Sequence, residues 1–269
     1  MTIGTCVGVA SGLLGVGGGF ILVPTLFLLM SVNGIDSVLA LKISLGTSLG
    51  IIFPTAIFSA YNHYRKSKFD IKLGLIFGGF GLIGGLIGGL VAINSDSEAL
   101  KNILGIVFIL IALNMIFKPE KKSDKRNDSE NLKLDSKLNL KKLFYGGTLG
   151  IGVGFLSGLL SLGGGIFIIP ILTLLLGFSM IEAIKTSTIF ISITAIGGLI
   201  PYLLTNTNSN NILFLVGYVN ILYLLIIIFF SIPTTYIGVK LAYKINEKML
   251  KKILALVLIY LSLKLIGIV

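Results

Sequence analysis

Apolar residues along this chain form long unbroken runs, at residues 37–62, 71–93, 99–117, 180–204, 212–239 and 253–268, instead of alternating or amphipathic spacings. A helix needs about 20 apolar residues to cross a hydrocarbon core, so the pattern predicts six membrane-spanning helices. Two longer runs, 3–30 and 144–176, are interrupted from within. They carry "LGVGGGFILVP" (Leu14–Pro24) and "LSLGGGIFIIP" (Leu160–Pro170), three glycines at one fixed distance from a proline. Glycine permits a sharp backbone reversal. Backbone that leaves helical geometry at membrane depth is tolerated only when buried in protein or lining a polar cavity. Each triplet run is therefore predicted as a broken, re-entrant hairpin whose proline begins or kinks the returning half-helix. Two short full spans would give the same chain parity.

The two triplets belong to a larger repeat. Gly8–Leu26 aligns with Gly154–Leu172, sharing Ser11, Gly12, Leu13, Leu14, Gly17, Gly18, Gly19, Pro24 and Leu26 with their counterparts. A second block, Thr47–Ile57, aligns with Thr186–Ile196 through Thr47, Ser48, Ile52, Thr55, Ala56 and Ile57. Two blocks in one order indicate an internal duplication: a first transmembrane repeat at 1–117, a charged cytoplasmic linker at 118–142 and a second transmembrane repeat at 143–269. The linker mixes both charges with few apolar residues and reads as a solvated connector.

Charge settles the orientation expected of the halves. If each triplet run crosses once, the basic stretch Lys240–Lys252 falls on the opposite side from Arg65–Lys72, against the positive-inside rule. If each dips in and returns, the halves are inverted and the clusters share a side with the linker and Lys185. Only Lys42, Lys101 and Lys264 remain opposite. The predicted fold is an all-α polytopic membrane protein of two inverted repeats, each a glycine-rich broken hairpin plus three transmembrane helices. The basic loops are expected to be cytoplasmic.

Composition agrees and narrows the chemistry. The mean hydropathy is +1.01 and 12% of residues are charged, half the share in soluble domains. The net charge of +11 sits in loops between apolar runs, so it reports membrane topology and not a nucleic-acid partner. One cysteine excludes an internal disulfide and a cysteine-cluster metal site, and a lone histidine weakens any histidine-based metal or acid/base role. No cofactor is expected, and no enzymatic role. The string "GTSLG" (Gly46–Gly50) fits a nucleophile elbow, yet it lies in a continuous apolar helix with no base nearby. The amino-terminal run has no basic n-region and no cleavage pattern, so a removable signal peptide is not predicted.

Several polar and glycine positions remain. Glycines at every fourth residue (Gly4, Gly8, Gly12; Gly146, Gly150, Gly154, Gly158; Gly81, Gly85, Gly89) suit close helix packing. The triplets Gly17, Gly18, Gly19 and Gly163, Gly164, Gly165 exceed that need. They are either packing turns or, with half-helix amino termini and free amides, an anion cradle between the repeats. Thr47, Ser48, Thr186 and Ser187 are hydroxyl pairs within spans; such groups commonly bond their own helix, and their matched placement adds the alternative of donating to substrate oxygens. Lys185 is positioned to pair with Glu182 or snorkel to the interface, with substrate contact as the alternative, and Lys42 reads the same way more weakly. His63 is expected at the membrane interface, with a proton relay as its alternative.

The doubled pattern G-x-x-S-G-x-x-x-x-G-G-G-x-x-x-x-P, each copy followed by a Thr-Ser block, resembles the TauE/SafE family of sulfite exporters. The likeness covers the chain except the linker, and includes the stretch Gly46–Ile71. The resemblance implies a multi-span permease of the inner or plasma membrane for small anions, commonly sulfite or organosulfonates and often in the export direction. Carried over, Gly17–Gly19, Pro24, Thr47, Ser48, Gly163–Gly165, Pro170, Thr186 and Ser187 become the substrate region; Lys185 and His63 are candidate accessories from their own positions in the chain, not from the resemblance. The chain departs from the family in a shorter helix before Gly8, no Trp and almost no Arg. The expected partners are a small anion and the lipid bilayer, with homo-oligomerisation left open. A passive anion channel and a non-transporting structural membrane protein are the rival readings.

Overall fold

The computed structural model describes residues 2–96, 140–174, 176–207 and 212–245, and the single positions 106, 109, 113, 249, 256 and 259. Apart from those single positions, the runs at 99–117 and 253–268 and most of the linker lie outside the described residues. Among the described residues the elements are α1 (Thr2–Leu14), α2 (Gly19–Val32), α3 (Ser37–Lys66), α4 (Lys72–Asn94), α5 (Leu140–Leu160), α6 (Gly165–Leu174), α7 (Met180–Leu204), β1 (Leu215–Val216), β2 (Val219–Asn220) and α8 (Ile221–Ala242).

Helices α3, α4, α7 and α8, of 30, 23, 25 and 22 residues, are long and apolar enough to cross a membrane. By contrast α1, α2 and α6 have 13, 14 and 10 residues, lengths of about 15–21 Å at a rise of 1.5 Å per residue. That is short of a hydrocarbon core of about 30 Å. Both triplets break their runs, and each break joins two helices. The prolines lie inside α2 and α6, not at their first positions.

Local sequence sets the helix ends. Asp36 caps α3, its carboxylate accepting from the amides of Val38 (3.0 Å) and Leu39 (3.3 Å). Ser179 and Glu182 form a reciprocal capping box at the start of α7. The run beginning at 212 is not helical throughout. Phe214 and Gly217 take left-handed φ angles of 60° and 59°, and β1 pairs antiparallel with β2. Helix α8 starts only after Asn220, whose side chain accepts from the Tyr223 amide at 3.1 Å.

α3 and α7 form the middle of the bundle. Leu41, Leu45, Leu49, Ile51 and Ile52 of the first and Ala183, Ile184, Phe190 and Ile191 of the second are buried in one core. Outside them, α4 and α8 turn Leu75, Ile83, Ile87, Leu225, Phe229 and Ile237 outward, as a helix facing lipid does. The glycine faces do what their spacing predicts. A Cβ on Gly12 would strike the Thr235 carbonyl of α8, and one on Gly154 or Gly158 would strike the Gly81 or Gly85 carbonyl of α4. So α1 packs on α8 as α5 packs on α4, backbone against backbone.

Candidate functional site

The site begins where α1 and α5 stop. Gly15, Gly17 and Gly18 have φ angles of 62°, 79° and 78°; their counterparts Ser161, Gly163 and Gly164 have 53°, 76° and 78°. Left-handed geometry is nearly free for glycine and costly for other residues, so the triplets fix both reversals. After each turn the next helix starts alike. The amides of Ile21 and Leu22 donate to the Gly18 carbonyl at 3.0 and 3.1 Å, and those of Phe167 and Ile168 to the Gly164 carbonyl at 3.1 and 2.9 Å. Gly18 is the N-cap of α2 and no side chain caps that end.

The two turns lie against each other. A Cβ on Gly19 would stand 2.8 Å from the Ser161 carbonyl, and one on Gly165 would stand 2.6 Å from the Gly15 carbonyl. Gly17 and Gly163 both abut the same two side chains, Ile52 of α3 and Ile191 of α7. The serines complete an exchange between the repeats. Ser48 Oγ donates to the Ser161 carbonyl at 3.0 Å, and Ser187 Oγ donates to the Gly15 carbonyl at 2.8 Å. Each hydroxyl also points at a carbonyl of its own helix, Leu45 at 2.9 Å and Ile184 at 2.8 Å, so one proton serves two acceptors. Contacts that swap in this way are those of a two-fold-like, self-complementary interface.

The structure thus brings Gly17–Gly19, Gly163–Gly165, Ser48 and Ser187 together, all buried. The threonines diverge. Thr47 Oγ1 accepts from the Asn220 amide at 2.9 Å and so holds the start of α8, while Thr186, 4% exposed, lies on α7 beside Gly74 of α4. Pro24 is buried and Pro170 half-buried on the returning helices.

Sequence reasoning did not single out three further hydroxyls. Ser11, Ser157 and Ser161 are fully buried; among the described residues the Oγ atoms of Ser11 and Ser157 have no hydrogen-bond partner, and Ser161 lies beside the Tyr202 phenol. Ser11 and Ser157 are counterparts in the repeat, and that match was the signal available. Buried hydroxyls without partners call for a physical reason, such as a ligand or water that they receive.

Of the accessory residues, His63, in the last turn of α3, is fully buried by protein. Its Nε2 lies 3.0 Å from the Gly12 carbonyl, close to the Ser59 hydroxyl that donates to the Ser11 carbonyl at 3.3 Å. His63 thus serves a carbonyl in the last turn of α1, while Ser59 is a second donor to the Ser11 carbonyl, which already accepts the Gly15 amide at 3.0 Å. Lys185 is only 6% exposed and donates to Ser67 Oγ at 3.0 Å instead of snorkelling. Glu182 is drawn into the capping box with Ser179, so the i,i+3 pair is not made. Lys42 donates to the Ile93 carbonyl at 2.6 Å, near the end of α4. Among the described residues no group of His, Cys, Asp and Glu could hold a metal ion.

Comparison with known proteins bears on this arrangement. The family model for the sulfite exporter TauE/SafE matches residues 1–265. The chain belongs to the TauE/SafE family. It is 34% identical over 257 residues to a probable membrane transporter protein of Methanocaldococcus jannaschii, covering 95% of this chain and 90% of that one. A probable membrane transporter protein of Bacillus subtilis, YunE, is 29% identical over 96% of the chain and 91% of its own length. A third, from Haemophilus influenzae, is 27% identical over 98% and 95%. No solved structure matches. This TauE/SafE member is a multi-pass membrane protein of a transporter family, and relatives bearing transporter names accord with the expectation that it is not an enzyme.

Proposed function

We propose that this chain is a secondary transporter that moves a small sulfur-containing anion, sulfite or an organosulfonate, out of the cell by alternating access between two inverted repeats. The basic loops face the cytoplasm across the plasma membrane. The observation that carries the reading is the reciprocal pair Ser48–Ser161 and Ser187–Gly15 at the crossing of two glycine turns. There the amino termini of α2 and α6 leave amides for an anion. The substrate region is Gly17–Gly19, Ser48, Gly163–Gly165 and Ser187, with Pro24, Pro170, Thr47 and Thr186 shaping the helices around it.

Binding at this point is an exchange of acceptors. In the closed arrangement each serine proton is held by carbonyls, one of them across the repeat interface. An anion oxygen that takes that proton releases the cross-repeat bond, and the repeats are then free to move against each other. Each such bond is worth about 1 kcal/mol, small enough for a weakly held substrate to displace. Neutral donors suit a carrier, because a fixed cation at the midplane holds an anion too firmly and is costly when empty.

The test is flux of radiolabelled sulfite and sulfoacetate in liposomes containing the purified protein, alongside Gly164→Ala and Ser187→Ala. Saturable flux that both variants lose while remaining folded supports the reading. Absence of flux for every sulfur anion by the intact protein overturns the substrate, and non-saturating conductance overturns the carrier.

A further inference from the structure

A second polar cluster lies at the end of the bundle that carries the Arg65–Lys72 loop, and the transport reading leaves it unused. Five segments meet there: the end of α1, the end of α3, the loop after it, the first turns of α7 and the end of α8. His63 Nε2 faces the Gly12 carbonyl, which can only accept, so Nε2 carries the ring hydrogen. Nδ1 is then a bare acceptor, and among the described residues it is buried without a partner. The His63 ring stands against Tyr243, centroids 5.8 Å apart, and the Tyr243 hydroxyl is likewise buried without a partner. Burial pushes the Tyr243 phenol above its ordinary range, so it stays a neutral donor.

Lys185 Nζ lies 5.8 Å from the centre of that same tyrosine ring and 5.6 Å from the ring of Phe69. It is a nearly buried cation whose only hydrogen bond among the described residues is to Ser67. The carboxylate closest in sequence, Glu182, is occupied with Ser179. The other charged groups described at this end, Arg65, Lys66, Lys68, Asp70, Lys72, Lys240 and Lys244, are exposed. From α1 the cluster receives only backbone; Cys6 is exposed.

We propose that Lys185, His63 and Tyr243 form a second oxyanion site, lying before the glycine crossing, that takes a doubly charged anion together with one proton. The charge arithmetic gives the selectivity. Among the described residues Lys185 makes no contact ion pair, Glu182 acting on it only through space, so one bound negative charge balances the ammonium. A singly charged sulfonate therefore completes the site alone. A dianion brings a second negative charge, and the group placed to neutralise it is His63, whose Nδ1 takes up a proton and becomes a donor. His63 bonds the Gly12 carbonyl and Ser187 the Gly15 carbonyl three residues on, so the cluster and the serine–carbonyl exchange share the end of α1. The inference rests on the proposed handling of small anions.

Calorimetry on the purified full-length protein in detergent, with sulfate and methanesulfonate as probes, tests it. Neither probe titrates between about pH 6 and about pH 8, where an ordinary histidine does. Sulfate should bind about tenfold tighter at the lower pH, with uptake of close to one proton read from buffers of different ionisation heat. Methanesulfonate should show neither effect. His63→Gln should abolish the sulfate pH effect, and Lys185→Met should weaken both anions about tenfold or more. The proton count needs no variant, so misfolding of either one leaves the test intact. Equal pH effects for the two anions, a pH effect that survives His63→Gln, or no binding of either anion overturns the site. Liposome flux without this pH linkage sinks only the inference; proton-linked sulfate binding without flux sinks the transport reading and leaves the site.

Discussion

Ser187 Oγ stands 2.8 Å from the carbonyl of Gly15, a residue of the other repeat, and Ser48 repeats the contact in reverse with Ser161 at 3.0 Å. Each bond crosses from a long helix to the broken end of a short one. Each satisfies a carbonyl that would otherwise be buried and unpaired. Ser48→Ala and Ser187→Ala should each cost about 1–2 kcal/mol, read as a lower unfolding midpoint in detergent. The two variants should behave nearly alike, since each breaks the counterpart of the other's contact. An unchanged midpoint for either would remove the serines as links between the repeats.

The glycine turns lead to a contrast between two alanine substitutions. A Cβ on Gly165 would lie 2.6 Å from both the Gly15 carbonyl and the Val16 Cα, and backbone cannot step aside as a side-chain end can. On Gly152, exposed on α5, a Cβ meets nothing within 4 Å. Gly165→Ala should destabilise by about 2 kcal/mol or more, in the range of core overpacking. Gly152→Ala should be neutral or stabilising by up to about 1 kcal/mol through helix propensity. Thermal unfolding of the two, side by side, separates close approach of the turns from a general intolerance of alanine.

Much of this arrangement can be read from the chain. The duplication, the breaks at Gly17–Gly19 and Gly163–Gly165, and the burial of both Thr-Ser pairs follow from runs and repeats, which are local properties. The partners do not. That Ser48 gives its proton to Ser161, and that Thr47 turns instead to Asn220, depends on segments far apart in sequence. His63 and Lys185 sit beside a basic loop and so read as interfacial. Tyr243 and Phe69, from distant parts of the chain, are what cover them. The ribbon at 215–220 was hidden because its apolar residues continue the run that follows.

Lys42 gives a separate prediction. Its ammonium donates to the Ile93 carbonyl at 2.6 Å, in the last turn of α4. A cation there meets both a free carbonyl and the negative end of the helix dipole. Lys42→Met keeps the length and loses the charge, and should cost about 1–2 kcal/mol. Liposome flux per folded molecule should be unchanged, because the contact lies outside the glycine crossing. A loss of flux without loss of stability would assign Lys42 to the anion path instead.

Ser161 separates structure from function most sharply. It holds a left-handed φ of 53° where its counterpart in the first repeat is Gly15, at 62°. A non-glycine residue there costs about 1–2 kcal/mol. Its hydroxyl is fully buried beside the Tyr202 phenol. On stability alone the position favours glycine, and the first repeat has it. Ser161→Gly should therefore raise stability by about 1 kcal/mol, after the entropy that glycine loses on folding. It leaves the backbone carbonyl that receives the Ser48 proton in place. If the hydroxyl is a donor to the anion, flux should fall in this more stable protein. Greater stability with flux unchanged would make the serine a tolerated strain and confine anion binding to the turn amides, Ser48 and Ser187.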